Sequence, residues 1–485
     1  MHAAIALLAR LSGIESEAHA TASSPNQSHS PTASSSKKKI DPEPTAEFGG
    51  LSPELCDMIL DYLHDDQAAL KACSLTCKGW LPRSQYHLHY RVTMVDLPDG
   101  TLEEDLTDSD FPQIDPDFYS SLIVAAHVSE LRLLNPPPPW EDDAISPTAS
   151  LSTSGHQTIE HCRTVWKIIS RFTNIHKLFI ANLRWCYHSP DEVKLLSRIF
   201  KNISQLYLAD SYFLDFSHFV HLLSIFPNLS HLTLSGMQWE NPHVFHNLIR
   251  LRLSGRAQHP IEPSQPNLEG LRSLAIVGEG CGPTMMQDIS HMIQSTNLRD
   301  TLSFTWNCPR NIGLLQLPNV LCALGSNLRK LDLQLTNHTE YLVNDMMLLN
   351  QNVKLQSLTL RISATMPEAA DEYRKVAFND ALGQLLLQIH SDHLTHIHFI
   401  CCLCIPSNES TTVSGSFTQT DLDNILSSHT FSYLSQVTFS FSYLFDRHKD
   451  TVSQAMMSCM PNLCSAGILK LEFGWRLFSY VSDII

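Results

Sequence analysis

One short pattern returns along most of this chain: an apolar residue, two others, an apolar residue, one other, and an apolar residue. It begins at Val128 (VSELRL), Ile175 (IHKLFI), Ile203 (ISQLYL), Leu229 (LSHLTL), Leu248 (LIRLRL) and Leu271 (LRSLAI). It resumes at Leu298 with one extra residue (LRDTLSF), then at Leu328 (LRKLDL), Leu355 (LQSLTL), Leu394 (LTHIHF), Leu434 (LSQVTF) and Ile468 (ILKLEF). Most of these twelve copies start about 19 to 30 residues apart, the mark of a repeat architecture. The last three apolar positions alternate as a strand does, whereas intervening stretches such as Asp191 to Phe200 and Phe216 to Phe226 have helical spacing. Neither element buries its apolar face without the next unit. The expected fold over residues 121–485 is therefore an α/β solenoid with a parallel sheet on its concave face and helices outside.

This spacing resembles that of leucine-rich repeats, although the asparagine usual after the strand in that family is mostly absent. An insertion is expected at 135–156, where Pro136 to Pro139 precede a run rich in Ser and Thr. Residues alternating with the buried strand positions would line the concave face, among them Lys177, Tyr207, Arg250, Arg252, Thr301, Ser303, Lys330, Asp332, Arg361, His396, His398, Lys470 and Glu472. Basic residues outnumber acidic ones along this column. Lys177, Tyr207, Arg250, Arg252, Lys330, Arg361, His396 and His398 are the candidate substrate contacts, since arginine forks match carboxylate and phosphate. An ordinary solvated sheet face is the alternative.

Residues 1–48 are rich in Ser, Thr, Pro, Ala and His, and after Leu11 carry almost no large apolar residue. Such a tail cannot offset its ordering entropy. At Leu51 the composition changes to LSPELCDMILDYLHDDQAALKACSLTCKGW. Leu55, Met58, Ile59, Tyr62 and Leu63 fall at helical spacing after Pro53, Asp65 and Asp66 break the run, and Ala69, Leu70, Cys73, Cys77 and Trp80 form the apolar face of a second helix. Two short helices complete a core against a partner or a neighbouring domain. Residues 49–90 resemble the F-box: Leu51, Pro53, Glu54 and Leu55 open the pattern, Ile59, Leu60, Leu63, Leu70 and Cys73 follow, and Cys77, Lys78, Gly79 and Trp80 close it. Ser52 departs from the proline many members carry there. The run from Leu81 to Leu88 resembles the continuation seen in fungal F-box proteins. The resemblance implies docking on a Skp-type adaptor of a cullin-RING ubiquitin ligase through Leu51, Pro53, Leu55, Ile59, Leu60, Leu63, Leu70, Cys77 and Trp80; a plain helical hairpin is the alternative.

Between the two regions lies an acidic linker at 91–120, with nine acidic residues and no Lys or Arg from Asp96 to Asp117. The net charge of -16 argues against nucleic-acid binding, which needs a basic footprint. No apolar run is long enough to span a membrane. The 13 cysteines are an odd number and too dilute for a disulfide scaffold, and the N-terminus lacks the basic region of a secretory signal. The expected location is cytoplasmic, nuclear or both, where the sequons at Asn26, Asn202, Asn228, Asn337 and Asn408 would stay unmodified. His393, His396, His398, Cys401, Cys402 and Cys404 cluster, but their spacing matches no familiar metal site and strand packing explains them. No phosphate loop, nucleophile elbow or zinc-protease motif occurs. A non-catalytic adaptor without cofactor or metal is expected. Its helices would hold the ligase and its solenoid a protein substrate, acting by proximity. A leucine-rich-repeat scaffold that does not direct ubiquitin transfer is the alternative.

Overall fold

A computed structural model describes residues 52–64, 66–76, 78–95, 127–134, 172–185, 190–213, 215–239, 268–278, 283–296, 302–307, 316–335, 349–364, 382–403, 420–442 and 449–474. The tail 1–48, the acidic run from Asp96 to Asp117, the insertion 135–156 and the C-terminal 475–485 lie outside these residues. The chain divides into two compact units, up to Tyr90 and from Arg91 onward.

The first unit is helical: α1 (Pro53–Tyr62), α2 (Gln67–Thr76) and α3 (Leu81–His89). Ser52 caps α1 by accepting the Leu55 N–H at 3.4 Å, so the serine that departs from the F-box pattern performs the capping itself. Asp66 caps α2 by accepting the Ala69 N–H at 2.9 Å. The second helix stops at Thr76, and Pro82 starts a third. The expectation of two helices is thereby corrected to three, with Trp80 in the turn between the last two. Leu60, Leu70 and Cys73 form the core, with Leu63, Trp80 and Leu88 packed against it.

The second unit is an α/β array. Its strands are β1 (Arg91–Val95), β2 (Glu130–Leu134), β3 (Lys177–Ala181), β5 (Gln205–Ala209), β7 (His231–Ser235), β9 (Ser273–Val277), β10 (Leu302–Asn307), β11 (Leu328–Leu335), β12 (Ser357–Ala364), β13 (His396–Leu403), β14 (Gln436–Ser442) and β15 (Leu469–Gly474), paired parallel in that order in one sheet. Two-residue strands β4 (Arg184–Trp185), β6 (Tyr212–Phe213) and β8 (Gln238–Trp239) form a second small sheet. Return helices include α4 (Pro190–Ile199), α5 (Phe216–Ser224), α6 (Pro283–Ser295), α7 (Leu317–Leu324), α8 (Thr420–Leu426), α9 (Lys449–Cys459) and α10 (Pro461–Ser465).

The repeated apolar positions account for the core. Leu178, Leu206, Leu232, Leu274, Phe304, Leu331, Leu358, Ile397 and Val437 align across the sheet. Each is at most 2% exposed and belongs to one continuous cluster that also takes in the helices' apolar residues. Burial contributes about 1.5 to 3 kcal/mol for each side chain of this size in the column. Phe399 and Phe439 stack within it at 4.5 Å.

Three expectations are corrected. The sheet begins at Arg91, inside the stretch assigned to the linker, rather than after residue 120. β7 pairs directly with β9, His231 opposite Ser273, so that sheet has no strand between them; the copy at Leu248, with Arg250 and Arg252, lies outside the described residues. In the copy at Leu298 the buried residues are Leu302, Phe304 and Trp306, one more than the pattern gives, and the register slips between Leu302 and Ser303. Ser303 and Thr305 alternate with the core positions of that strand, and Thr301 lies outside the described residues.

Side-chain ladders tie the turns leading into the strands. Asn202 and Asn228 donate to the carbonyls of Thr173 and Lys201, each one repeat back, at 2.9 and 2.8 Å. Ser204, Ser230, Thr395 and Ser435 donate to the carbonyls of the equivalent preceding residues His176, Ser204, Gln356 and Thr395. The sequons Asn202-Ile203-Ser204 and Asn228-Leu229-Ser230 are thus two ladder positions flanking a core residue. At the other end of the strands, Asn182, Asp210, Gly236 and Gly278 take positive φ of 53, 45, 59 and 80°. Among the described residues no helix is long and apolar enough to cross a membrane.

Candidate functional site

α1 is apolar on two sides. Cys56 and Leu60 point inward, 3% and 0% exposed. Leu55, Met58 and Tyr62 point outward at 48, 66 and 88% exposure, and Ile59 between them is partly buried. Leu75 on α2 and Leu81 on α3 are also exposed, at 87 and 36%. Spacings of three and four residues put Leu55, Met58, Ile59 and Tyr62 along one stripe, with Pro53 exposed at its start. An electrostatic clamp holds the scaffold beneath. Arg83 donates through Nε and Nη2 to the two Asp61 carboxylate oxygens at 2.6 and 2.8 Å, and His87 Nε2 lies 2.8 Å from Asp61 Oδ1. Hydrogen bonds from Arg83, then His87, hold the Asp61 pKa down at about 2.

Of the residues expected to meet an adaptor, Pro53 and Leu55 are exposed and Ile59 partly so, whereas Leu60, Leu63, Leu70 and Trp80 serve the unit's own core. Leu51 and Cys77 lie outside the described residues. Met58, Tyr62, Leu75 and Leu81 were not among those residues. Their signal was present: a ten-residue helix with apolar residues at 55, 56, 58, 59, 60 and 62 cannot bury them all in so small a core.

On the sheet's open face two cations of the expected basic column, Arg361 and Lys470, are paired with carboxylates. Arg361 is 5% exposed and donates through Nε and Nη2 to both carboxylate oxygens of Asp332 at 2.9 and 2.8 Å. His398 Nε2 lies 2.7 Å from Ser440 Oγ, which donates to Glu472 Oε2 at 2.9 Å, and Lys470 Nζ meets Glu472 Oε1 at 2.7 Å. With its hydrogen directed to Glu472, the Ser440 hydroxyl accepts from His398 Nε2. Burial pushes the His398 pKa below its ordinary value, while Lys470 and Ser440 lower that of Glu472. Ser440 is 0% exposed, so this His, Ser and Glu chain offers no nucleophile to an incoming molecule. Tyr207 stacks on Phe179 at 4.6 Å, with the Arg132 guanidinium 5.6 Å above the same Phe179 ring. Lys177, Lys330 and His396 sit at or near their strand starts, the last with Nδ1 2.7 Å from Thr395 Oγ1.

Two clefts accompany these faces. One of about 450 Å³, at the strand-start edge, is lined by Gln356, Asp392, His393, Thr395 and Tyr433. The other, about 380 Å³, lies between α6 and α7 and includes His291, Gln294, Asn319 and Cys322. Among the described residues no three His, Cys, Asp or Glu side chains are grouped to hold a metal. His396 and His398 make the separate contacts above and Cys401 is buried, while Cys404 lies outside the described residues. Comparison with models of known protein families and with curated proteins gives no match.

Proposed function

We propose that this chain is the substrate-recognition subunit of a Skp-cullin-F-box ubiquitin ligase. Residues 49–90 would act as an F-box docked on a Skp-type adaptor, and the array from Arg91 as an irregular leucine-rich-repeat solenoid that holds a protein substrate. The observation that carries this reading is the outward stripe of Leu55, Met58, Ile59 and Tyr62 on a three-helix unit whose own core is already filled. Each of these side chains contributes about 1.5 to 3 kcal/mol when a partner buries it fully. An apolar stripe on so small a unit calls for such a partner. Neighbouring Leu75 and Leu81 offer further apolar surface. Proximity is the mechanism: a bound substrate meets the conjugating enzyme at high effective concentration, and this chain supplies binding rather than bond-breaking.

The test is retention of a purified Skp-type adaptor by the full chain and by Leu55→Asp with Met58→Asp. Both positions are exposed, so the helical content should stay unchanged while retention falls at least tenfold. Equal retention with intact helices would overturn the docking assignment. Faster loss of a bound partner protein in cells with the intact F-box than with the variant supports ligase function; equal turnover supports a scaffold instead.

A further inference from the structure

We infer that the outer edge of β15 is a self-association surface, which pairs antiparallel with β15 of a second copy of this chain about a two-fold axis at Leu471. β15 ends the sheet: its strand neighbour is β14, and among the described residues nothing pairs with its other side. The Ile468 carbonyl accepts the Val437 N–H at 2.8 Å and so points at β14. Backbone groups alternate in direction along a strand. Those of Lys470 and Glu472 therefore also face β14, while the N–H and C=O of Leu469, Leu471 and Phe473 point outward. An outward row of this kind is a template for a further strand. On the core face Leu469, Leu471 and Phe473 are only partly buried, whereas their β14 partners Val437, Phe439 and Phe441 are 0, 1 and 0% exposed. Phe441 stacks on Phe473 at 5.5 Å, and the aromatic ladder stops there. At the opposite end of the sheet Val92 of β1, an equivalent core position, is covered at 2% exposure.

Charge complementarity identifies the occupant as a second copy. Antiparallel pairing sets outward residues opposite outward residues, so the two-fold registers that overlap most of the strand are centred on Lys470, Leu471 or Glu472. Centring on Lys470 sets two lysines face to face, and centring on Glu472 two glutamates; like charges directly opposite are destabilising. Centring on Leu471 sets Lys470 opposite Glu472 of the partner subunit, and Glu472 opposite Lys470 of the partner subunit. Both pairs then occupy the non-hydrogen-bonded positions, where facing side chains come closest. Leu471 meets its own copy and Leu469 meets Phe473 of the partner subunit at the hydrogen-bonded positions, so the outward N–H and C=O groups of all three residues find partners. Lys470 Nζ and Glu472 Oε1 already lie 2.7 Å apart within one chain, their side chains 56 and 37% exposed. Across the axis the four groups close a ring of alternating charge. The same patch serves both copies, so association closes at a dimer. The inference goes beyond the ligase reading and does not depend on the adaptor.

The experiment is sedimentation equilibrium of the full chain across micromolar concentrations. The mass should rise from the 54.6 kDa of one chain toward twice that value as concentration increases. Lys470→Glu sets like charges opposite at both pairs and should weaken the dimer at least about tenfold, as should Glu472→Lys. An equimolar mixture of these two variants should dimerise, because each offers the other opposite charges at both pairs. Lys470→Glu with Glu472→Lys in one chain should dimerise for the same reason. Lys330→Glu, on the inner strand β11, should leave the dimer unchanged. Circular dichroism checks that each variant is folded. Glu472 also accepts from Ser440, so if Glu472→Lys fails to fold, Lys470→Glu at its exposed position carries the comparison by itself. A monomer at every concentration overturns the inference, as does a dimer that folded Lys470→Glu leaves equally tight. Growth beyond two chains overturns it too, since that needs a surface that does not close. A monomeric full chain that dimerises once truncated after Gly474 would assign the edge to the chain's own residues 475–485 instead.

Discussion

Gly236 follows β7 with φ of 59°, and a Cβ there would collide with Asp210 Oδ1, the carboxylate of the equivalent position one repeat earlier. Two separate penalties therefore meet at one atom. Gly236→Ala should cost about 1 to 2 kcal/mol from the left-handed backbone plus the displacement of Asp210, measured by urea unfolding of the full chain. Adding Asp210→Gly, which removes the carboxylate and keeps a residue tolerant of the φ of 45° at that position, should restore only the second part. A full restoration would show that the backbone term is absent. Neighbouring repeats solve the same turn with Asn182, Asp210 and Gly278, the residue types that tolerate positive φ. The turn after the strand is thus closed by several local solutions and not by one repeated residue. An asparagine ladder does exist, at Asn202 and Asn228, but before the strand and not after it. Its partners lie one repeat back, so no single copy of the pattern reveals it.

At the scale of an element, α1 shows that helical spacing alone does not say which apolar residues go inward: of its apolar residues Leu60 is 0% exposed and Met58 66%. Leu60→Ala should cost about 2 to 5 kcal/mol, and Met58→Ser at most about 0.5 kcal/mol, both read from thermal unfolding followed by circular dichroism. The clamp below adds a pH dependence. Asp61 has its pKa lowered to about 2 by Arg83 and His87, so its contribution is complete above the unfolded carboxylate range near about 4 and is lost as pH falls toward 2. Asp61→Asn should lower the unit's stability at neutral pH and flatten its decline between those limits. A wild-type decline unchanged in Asp61→Asn would count against the clamp. The strands were more legible than the helices, because alternation reports a buried side directly. Their open face was not: Asp332 and Arg361 stand 29 residues apart, and only cross-strand pairing brings them together.

Across the whole molecule, the division at Tyr90 and Arg91 and the strictly sequential strand order set how perturbations travel. Leu60→Ala should lower hydrogen-exchange protection in α1 to α3 and leave β5 to β14 unaltered; equal loss in both would mean that the units unfold together. Within the array each strand touches the one before and the one after, so damage spreads along the chain repeat by repeat. The repeat architecture was readable from period alone, whereas the direct step from β7 to β9 was not, because the copy at Leu248 has the same pattern as its neighbours. Sequential order also fixes the mechanical character of the protein. A pull on its two ends peels an outer strand from the sheet and leaves the remaining ladder intact. The unit from Lys177 to Gln205, once released, pays out about 95 Å of slack at roughly 3.4 Å per residue. The array is therefore a spring that yields in steps, each the length of one repeat.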